Sequence, residues 1–91
     1  MSQKEQLIYL IKEYYAGKYS TVAFCDEFTR VLCMEKDGSL TEEENLLLSK
    51  SDGIFSRFSP YDEDVRTGFL FGEDKIQQEF HTLVDKLNIK L

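Results

Sequence analysis

The sequence predicts an all-α fold, a compact bundle of four antiparallel helices. Apolar residues recur at three- and four-residue spacing in four segments, which is the period of an amphipathic helix. Helix start and stop signals bound these segments, and no segment of useful length alternates with the period of a β-strand. With 91 residues, the chain suits one hydrophobic core and is too short for two, so we expect a single domain over residues 1–91.

The first two helices are predicted to form a hairpin. The first covers Gln3–Tyr15, and Gly17 stands just past its end, where a left-handed residue closes a helix at least cost. Ser20 offers a hydroxyl to the free N–H groups of a second helix over residues 21–36, and Gly38 ends that helix in a turn. The short connection between the two helices favours antiparallel neighbours.

The third and fourth helices carry acidic first turns. Thr41 and Glu44 form a capping box, in which each side chain accepts the backbone N–H of the other residue. The third helix is expected to end near Phe58, because the residue before Pro60 is pushed out of the helical region. The fourth helix is predicted over Glu73–Leu87.

Residues 59–72 form the one long irregular link in this prediction. An acidic run occupies positions 62–64, and the apolar triplet Phe69-Leu70-Phe71 follows it. We expect the triplet to be a short extended piece folded back on the core, because an exposed Phe-Leu-Phe would be sticky.

Composition excludes several classes of function. Eleven Lys and Arg against seventeen Asp and Glu give a net charge of −6, which argues against binding nucleic acid or anionic lipid directly. The apolar runs fall far short of the roughly 20 residues of a membrane span, and the N-terminus lacks the shape of a signal peptide. Cys25 and Cys33 lie too far apart on one predicted helix for a disulfide. We therefore expect two buried or half-buried thiols in a reducing, cytoplasmic compartment.

The residues of the chain offer little for catalysis. His81, the single histidine, falls at the edge of an apolar stripe, where a structural or solvent-facing role is favoured over acid–base work. The acidic run 62–64 lacks the glycine and spacing of a calcium loop, and no third or fourth soft ligand accompanies the cysteines. We therefore expect no enzyme, no cofactor and no metal.

The negative charge is concentrated in residues 41–74, which carry nine acids against three bases and so hold the entire net charge. One interpretation is a solvated face whose acids favour solubility and the helix dipoles. The other is a single negative surface that attracts and orients a strongly basic partner. Since such basic surfaces belong above all to proteins that hold RNA or DNA, an acidic protein covering one would keep nucleic acid out.

Residues 7–91 resemble the colicin D-like immunity proteins, including those of contact-dependent growth-inhibition systems. The resemblance rests on the opening of the second helix at 20–28, on the aromatic stretch 52–60 that runs into the acidic link, and on the pair Glu73-Asp74 that opens the last helix. It implies a four-helix bundle that binds a basic nuclease toxin domain, expected to be a tRNase. The immunity protein would cover the toxin's active site with an acidic surface that imitates nucleic acid.

The resemblance also implies a set of toxin-binding residues. By position, the acids of the link and of the last helix's first turn match the family's acidic link, and Asp52 matches an acid often seen in its third helix. Aromatic side chains in the same region are expected to act as anchors, because aromatic residues dominate binding hot spots. The expected toxin-binding residues are Asp52, Tyr61, Asp62, Glu63, Asp64, Phe69, Glu73 and Asp74.

A function of another class stays open, namely a small helical adaptor or assembly factor that binds a basic protein with no toxin involved. Neighbouring genes separate the two, since a large secreted protein with a basic nuclease tail encoded just upstream supports the inhibitor. An acidic surface could cover the active site of a tRNase, an rRNase or a DNase alike, so the sequence does not identify the toxin's substrate. The oligomeric state is also open.

Overall fold

The computed structural model describes every residue except Asp62. Over the described residues the chain is all-helical and has no strand, so the predicted all-α class is confirmed, with five helices where four were predicted. The helices are α1 (Gln3–Tyr15), α2 (Thr21–Leu32), α3 (Glu42–Phe55), α4 (Asp62–Arg66) and α5 (Glu73–Leu87). The closest packing is between α1 and α2, between α2 and α3, and between α3 and α5. No helix among residues 1–61 and 63–91 is both long and apolar enough to cross a membrane.

Phe24 of α2 is the centre of an aromatic core that joins the four long helices. Its fully buried ring stacks on Tyr14 of α1 with 4.3 Å between centroids. It also makes edge contacts with Phe55 of α3 at 5.3 Å and Phe80 of α5 at 5.7 Å. Such pairs add to the stability that comes from burying their surface. Phe24 therefore contacts one aromatic ring on each of the other three long helices.

Local signals place most helix ends where they were predicted. α1 and α5 have the predicted bounds, and Gly17 closes α1 with a φ of 80°. The Ser20 hydroxyl accepts the N–H of Ala23 at 3.2 Å. The predicted capping box is present, since Thr41 N donates to Glu44 Oε1 at 2.9 Å and Glu44 N donates to Thr41 Oγ1 at 3.0 Å.

The second helix is shorter than predicted, because α2 ends at Leu32 and not at residue 36. The Gln3 amide donates to the carbonyls of Val31 at 3.1 Å and Leu32 at 3.4 Å, so carbonyls at the helix end are satisfied from α1. The carboxylate of Asp37 accepts the N–H of Gln3 at 2.8 Å. The backbone after Leu32 must depart from helical geometry so that the carboxylate of Asp37 can reach the N–H of Gln3.

The two cysteines differ in exposure. Both are free, and burial raises the pKa of the Cys25 thiol to about 12. Cys33 is exposed at the C-cap of α2, so the expectation of a buried or half-buried thiol is wrong for Cys33. Cys33 lies nine residues after Phe24, and at 3.6 residues per turn this places it on the opposite side of α2 from the buried face.

The link after α3 is more ordered than predicted. α3 ends at Phe55 and not near Phe58, because the backbone that follows pairs with Phe71. Phe71 N donates to Arg57 O at 2.8 Å, and Ser59 N donates to Phe71 O at 3.0 Å, which forms an isolated parallel bridge between Phe58 and Phe71. The link also contains α4, so it is not wholly irregular. We call residues 58–71, tied at both ends by this bridge, the closed segment.

The apolar triplet of the closed segment is divided between core and solvent. Phe71 is half-buried and packs against the core, as expected. Phe69 is 78% exposed, so the expectation is wrong for this residue. Gly68, with a φ of 82°, makes a turn that only glycine adopts readily, and the turn directs the next residue outward.

Candidate partner-binding surface

Apart from Asp52, the described acids of residues 41–74 lie near the two ends of α3. α3 has 14 residues and is therefore about 21 Å long at about 1.5 Å per residue. The acids Glu42, Glu43 and Glu44 occupy its first turn, where Glu44 pairs with Lys4 at 2.9 Å. The described acids of α4, Glu63 and Asp64, and those of the first turn of α5 follow its other end. The described acids at these two ends are therefore about 20 Å apart along α3 and do not form one compact cluster.

Asp52 lies between these two ends and faces α2. Its half-buried carboxylate accepts the hydroxyl of Thr29 at 2.5 Å. This bond joins α2 to α3, so Asp52 helps to position the two helices. The predicted partner-binding residue thus has a partner within the chain.

Glu73 connects three helices at the start of α5. Its Oε1 accepts the Thr21 hydroxyl, the Gln77 amide at 3.3 Å and the Tyr14 hydroxyl at 3.5 Å. The Gln77 amide also donates to the Tyr14 hydroxyl at 2.6 Å. Burial raises the pKa of Tyr14, so this hydroxyl stays protonated and able to donate. The carboxylate of Glu73 is therefore held in one orientation.

Asp64 is fixed inside the closed segment. Its half-buried carboxylate accepts the hydroxyl of Ser59 at 2.8 Å, and the Ser59 oxygen accepts the N–H of Tyr61 at 3.2 Å. These bonds give the entry to α4 a defined shape. Asp62, another predicted toxin-binding residue, lies outside the described residues.

Five of the predicted residues are exposed, and Glu73 differs from the other four because its carboxylate accepts hydrogen bonds from other helices. Tyr61 is 68% exposed and Phe69 is 78% exposed, while Glu63 and Asp74 are also exposed. They belong to the closed segment and to the first turn of α5. We call Tyr61, Glu63, Phe69 and Asp74 the exposed set. Exposed aromatic side chains interspersed with charges have the composition of a protein interface.

The surface around the exposed set is mildly acidic. Residues 57–75 carry five acids against three bases. Within residues 1–61 and 63–91, the ion pairs are Lys4–Glu44, Lys18–Glu13 and Arg30–Glu27, and none of them includes Glu63 or Asp74. These two carboxylates are therefore available to an external cation.

An open groove of about 440 Å³ lies between α4 and the start of α5. Lys75 extends along it, with its Nζ 5.9 Å from the centroid of the Phe71 ring. Sequence reasoning missed this groove, since the bridge and the turn at Gly68 that shape it are contacts between separate parts of the link. We call it the α4–α5 groove; its lining residues are Val65, Leu70, Phe71, Gly72, Glu73, Asp74 and Lys75.

His81 lies away from the exposed set. Its ring is solvent-exposed and meets the edge of Phe80 with 5.7 Å between centroids, in agreement with the predicted edge position. Among residues 1–61 and 63–91, no group of three or more His, Cys, Asp or Glu side chains is arranged to hold a metal ion.

Comparison of the chain with protein-family models, with curated proteins and with solved structures gives no match. The function of the exposed set is therefore inferred from the residues and contacts of the chain itself.

Proposed function

We propose that this protein is a cytoplasmic inhibitor of a basic nuclease toxin domain, expected to be a tRNase, and that it acts as the colicin D-like immunity proteins do. It performs no catalysis and covers the toxin's active site. The observation that carries this proposal is the outward position of Tyr61 and Phe69 in the same short region as the exposed carboxylates of Glu63 and Asp74. A few residues carry most of the binding energy at a protein interface, and tyrosine is among the types enriched there.

The closed segment supports this role because it is shaped before any partner arrives. The Phe58–Phe71 bridge ties its ends, and the bond between Ser59 and Asp64 fixes the entry to α4. A preorganised surface loses less conformational entropy on binding than a flexible one. Asp64 therefore contributes by positioning Tyr61 and α4, while the exposed set makes the contacts.

Charge acts at two ranges in this proposal. The net charge of −6 attracts a basic domain and speeds encounter. The glutamates at the start of α3 lie about 20 Å from the exposed set, which exceeds the Debye length of about 8 Å in physiological salt. Contact therefore depends on Glu63 and Asp74, and the glutamates of α3 contribute only to the approach.

The architecture is compatible with the bundle that the resemblance implies. In this proposal the four long helices α1, α2, α3 and α5 form the bundle, and α4 is an addition to the link. The aromatic core around Phe24 then provides a rigid body that presents the closed segment.

The test begins with the C-terminal domain of the large protein encoded by the adjacent gene. We expect the two proteins to form a stable complex and the chain to stop cleavage of tRNA by that domain. The double variant Glu63→Lys/Asp74→Lys should weaken binding by about 100-fold and flatten its dependence on salt, because both contact charges are reversed. Binding is measured by calorimetry at several salt concentrations.

A matched double variant at the other end, Glu42→Lys/Glu43→Lys, changes the net charge equally. We expect it to lower the association rate several-fold and to leave the dissociation rate unchanged. Equal losses for the two double variants would show that the exposed set is not the contact surface. A stable complex with a basic protein that is not a nuclease would favour the adaptor function.

A further inference from the structure

We propose that the α4–α5 groove is a slot for one arginine side chain of a basic protein partner. The identity of that partner rests on the proposed function, whereas the slot is a property of this chain alone.

The groove has the shape and polarity that an arginine side chain needs. Val65, Leu70 and Phe71, all half-buried, give it an apolar surface, and its volume of about 440 Å³ is open to solvent. The methylene stem of arginine packs on apolar surface while its charged head stays in contact with water and polar groups. An apolar groove that ends at carboxylates therefore matches the two parts of this side chain.

Two carboxylates border the groove at the start of α5. Glu73 is held by Thr21 and Gln77, so its charge is fixed in place before binding. Asp74 is exposed and belongs to no ion pair among residues 1–61 and 63–91. A guanidinium carries five donors in a planar fork and binds carboxylates with two parallel hydrogen bonds. A single arginine head can therefore engage Asp74 and keep donors for a second acceptor.

The chain's own Lys75 indicates that the ring face in this groove accepts a cation. Its Nζ lies 5.9 Å from the centroid of the Phe71 ring, within the range of about 6 Å for a cation–π contact. Arginine is the better occupant, because its planar head stacks on aromatic faces and is less strongly hydrated than an ammonium. Lys75 is exposed, so an incoming arginine can displace it from the ring and the two compete for the same place.

The charge of the groove favours a cation over an anion. Gly72, the N-cap of α5, provides no side-chain cap, and such a helix start commonly attracts anions. The carboxylates of Glu73 and Asp74 occupy this first turn, however, and they repel an anion. The groove therefore selects a positive group.

The test is an NMR titration of the ¹⁵N-labelled full chain with N-acetylarginine amide. We expect saturable shifts confined to the backbone amides of residues 65–75. N-acetyllysine amide should bind about fivefold more weakly, because an ammonium group cannot stack flat on the Phe71 ring or make two parallel hydrogen bonds to one carboxylate. N-acetylcitrulline amide, which has nearly the same shape and no charge, should cause no saturable shift. Equal binding of lysine, or any matching response to citrulline, would overturn the proposal.

Charge variants sharpen the titration. Asp74→Asn should abolish the shifts, whereas Asp85→Asn, at an exposed acid near the other end of α5, should leave them intact. Lys75→Gln should strengthen binding of the arginine amide several-fold, and Lys50→Gln, which removes an exposed base on α3, should not. The spectra report the fold of each variant directly. Equal effects of Lys75→Gln and Lys50→Gln, or shifts spread over all acidic residues, would overturn the slot.

The outcome is independent of the toxin experiment. Binding of the arginine amide without inhibition of the nuclease would overturn the proposed function alone. Inhibition without a response in residues 65–75 would overturn the slot alone.

Discussion

The two ends of the molecule use their polar groups differently. At the end that contains the start of α1, which we call the Asp37 end, Gln3 N donates to Asp37 at 2.8 Å and Lys4 N donates to Ser39 at 3.0 Å. Lys4 also pairs with Glu44 at the start of α3. At the other end, which we call the α4 end, Tyr61 and Phe69 face solvent. Hydrogen bonds and an ion pair hold helices together at the Asp37 end, whereas two large aromatic side chains are exposed at the α4 end.

In the proposed function, this difference separates the region that stabilises the fold from the region that binds the partner. Regions with few buried contacts open locally at low free energy, and binding surfaces are often drawn from them. The closed segment is tied mainly by one isolated bridge and by bonds among its own residues. The Asp37 end connects residues that are more than 30 positions apart in the chain. Mutations at the two ends should therefore separate stability from binding.

The largest effect is expected at the core that supports both ends. Phe24→Ala should lower the free energy of unfolding by about 3–5 kcal/mol, because it removes a fully buried ring that contacts three other helices. Urea denaturation followed by circular dichroism measures the loss. Two separate transitions in the unmodified protein would contradict a single core shared by both ends.

Gln3→Ala tests the Asp37 end. Gln3 is 3% exposed, and its amide serves the last carbonyls of α2, so its loss leaves buried acceptors unsatisfied and should cost about 1–3 kcal/mol. The control is Gln6→Ala, whose amide makes only an exposed bond to Met1 and whose loss should cost less than about 0.5 kcal/mol. Similar losses of stability for the two variants would indicate that the Asp37 end is not tightly held.

Acid should loosen the Asp37 end selectively. Hydrogen bonds from the Ser39 hydroxyl and from the backbone N–H of Gln3 lower the pKa of Asp37 from 3.8 to about 2. Because the unfolded chain binds this proton more readily than the folded one, stability present above about pH 4 is lost as the pH falls toward 2. The ion pair with Lys4 lowers the pKa of Glu44, which acts in the same direction.

Thermal unfolding between pH 6 and pH 2 measures this effect. Asp37→Asn should lower Tm at neutral pH by several degrees and flatten the fall below pH 4. Glu35→Gln, at an exposed acid of the same linker, should keep the fall unchanged. A steep fall that persists in Asp37→Asn would assign the acid sensitivity to other groups.

Phe69→Ala should have the smallest effect on stability. The ring is 78% exposed, so we expect a change within about 0.5 kcal/mol. Affinity for the basic toxin domain should fall by about tenfold or more, as for an aromatic anchor. Leu46→Ala is the control, because Leu46 is 70% exposed on α3 and should affect neither quantity. Unchanged affinity in Phe69→Ala would remove Phe69 from the interface.

Helix ends set by local signals could be predicted from the sequence. Gly17, Ser20 and the capping box of Thr41 act on residues a few positions away, and all are where they were expected. The end of α2 was missed because it depends on Gln3, which lies 28 positions before Val31. Long-range hydrogen bonds of this kind leave no periodic signal in the sequence.

The residues of the candidate surface also fall into two groups: those whose exposure the sequence predicted, and those whose role depends on contacts between helices. Reasoning from the sequence proposed Tyr61 and Phe69 as aromatic anchors, and both are exposed. It could not distinguish the free carboxylate of Asp74 from that of Glu73, which accepts bonds from α1, α2 and α5. The positions of Asp52 and Glu73 depend on partners in other helices, so only the folded chain shows which acids are available.

Amide hydrogen exchange of the free chain and of its complex with the neighbouring nuclease domain tests the central claim most directly. In the free chain, residues 58–71 should exchange faster than the helical amides at the Asp37 end. In the complex, protection should be gained over residues 61–75, with little change in residues 42–47. Protection gained at the start of α3, with none in residues 61–75, would contradict the account.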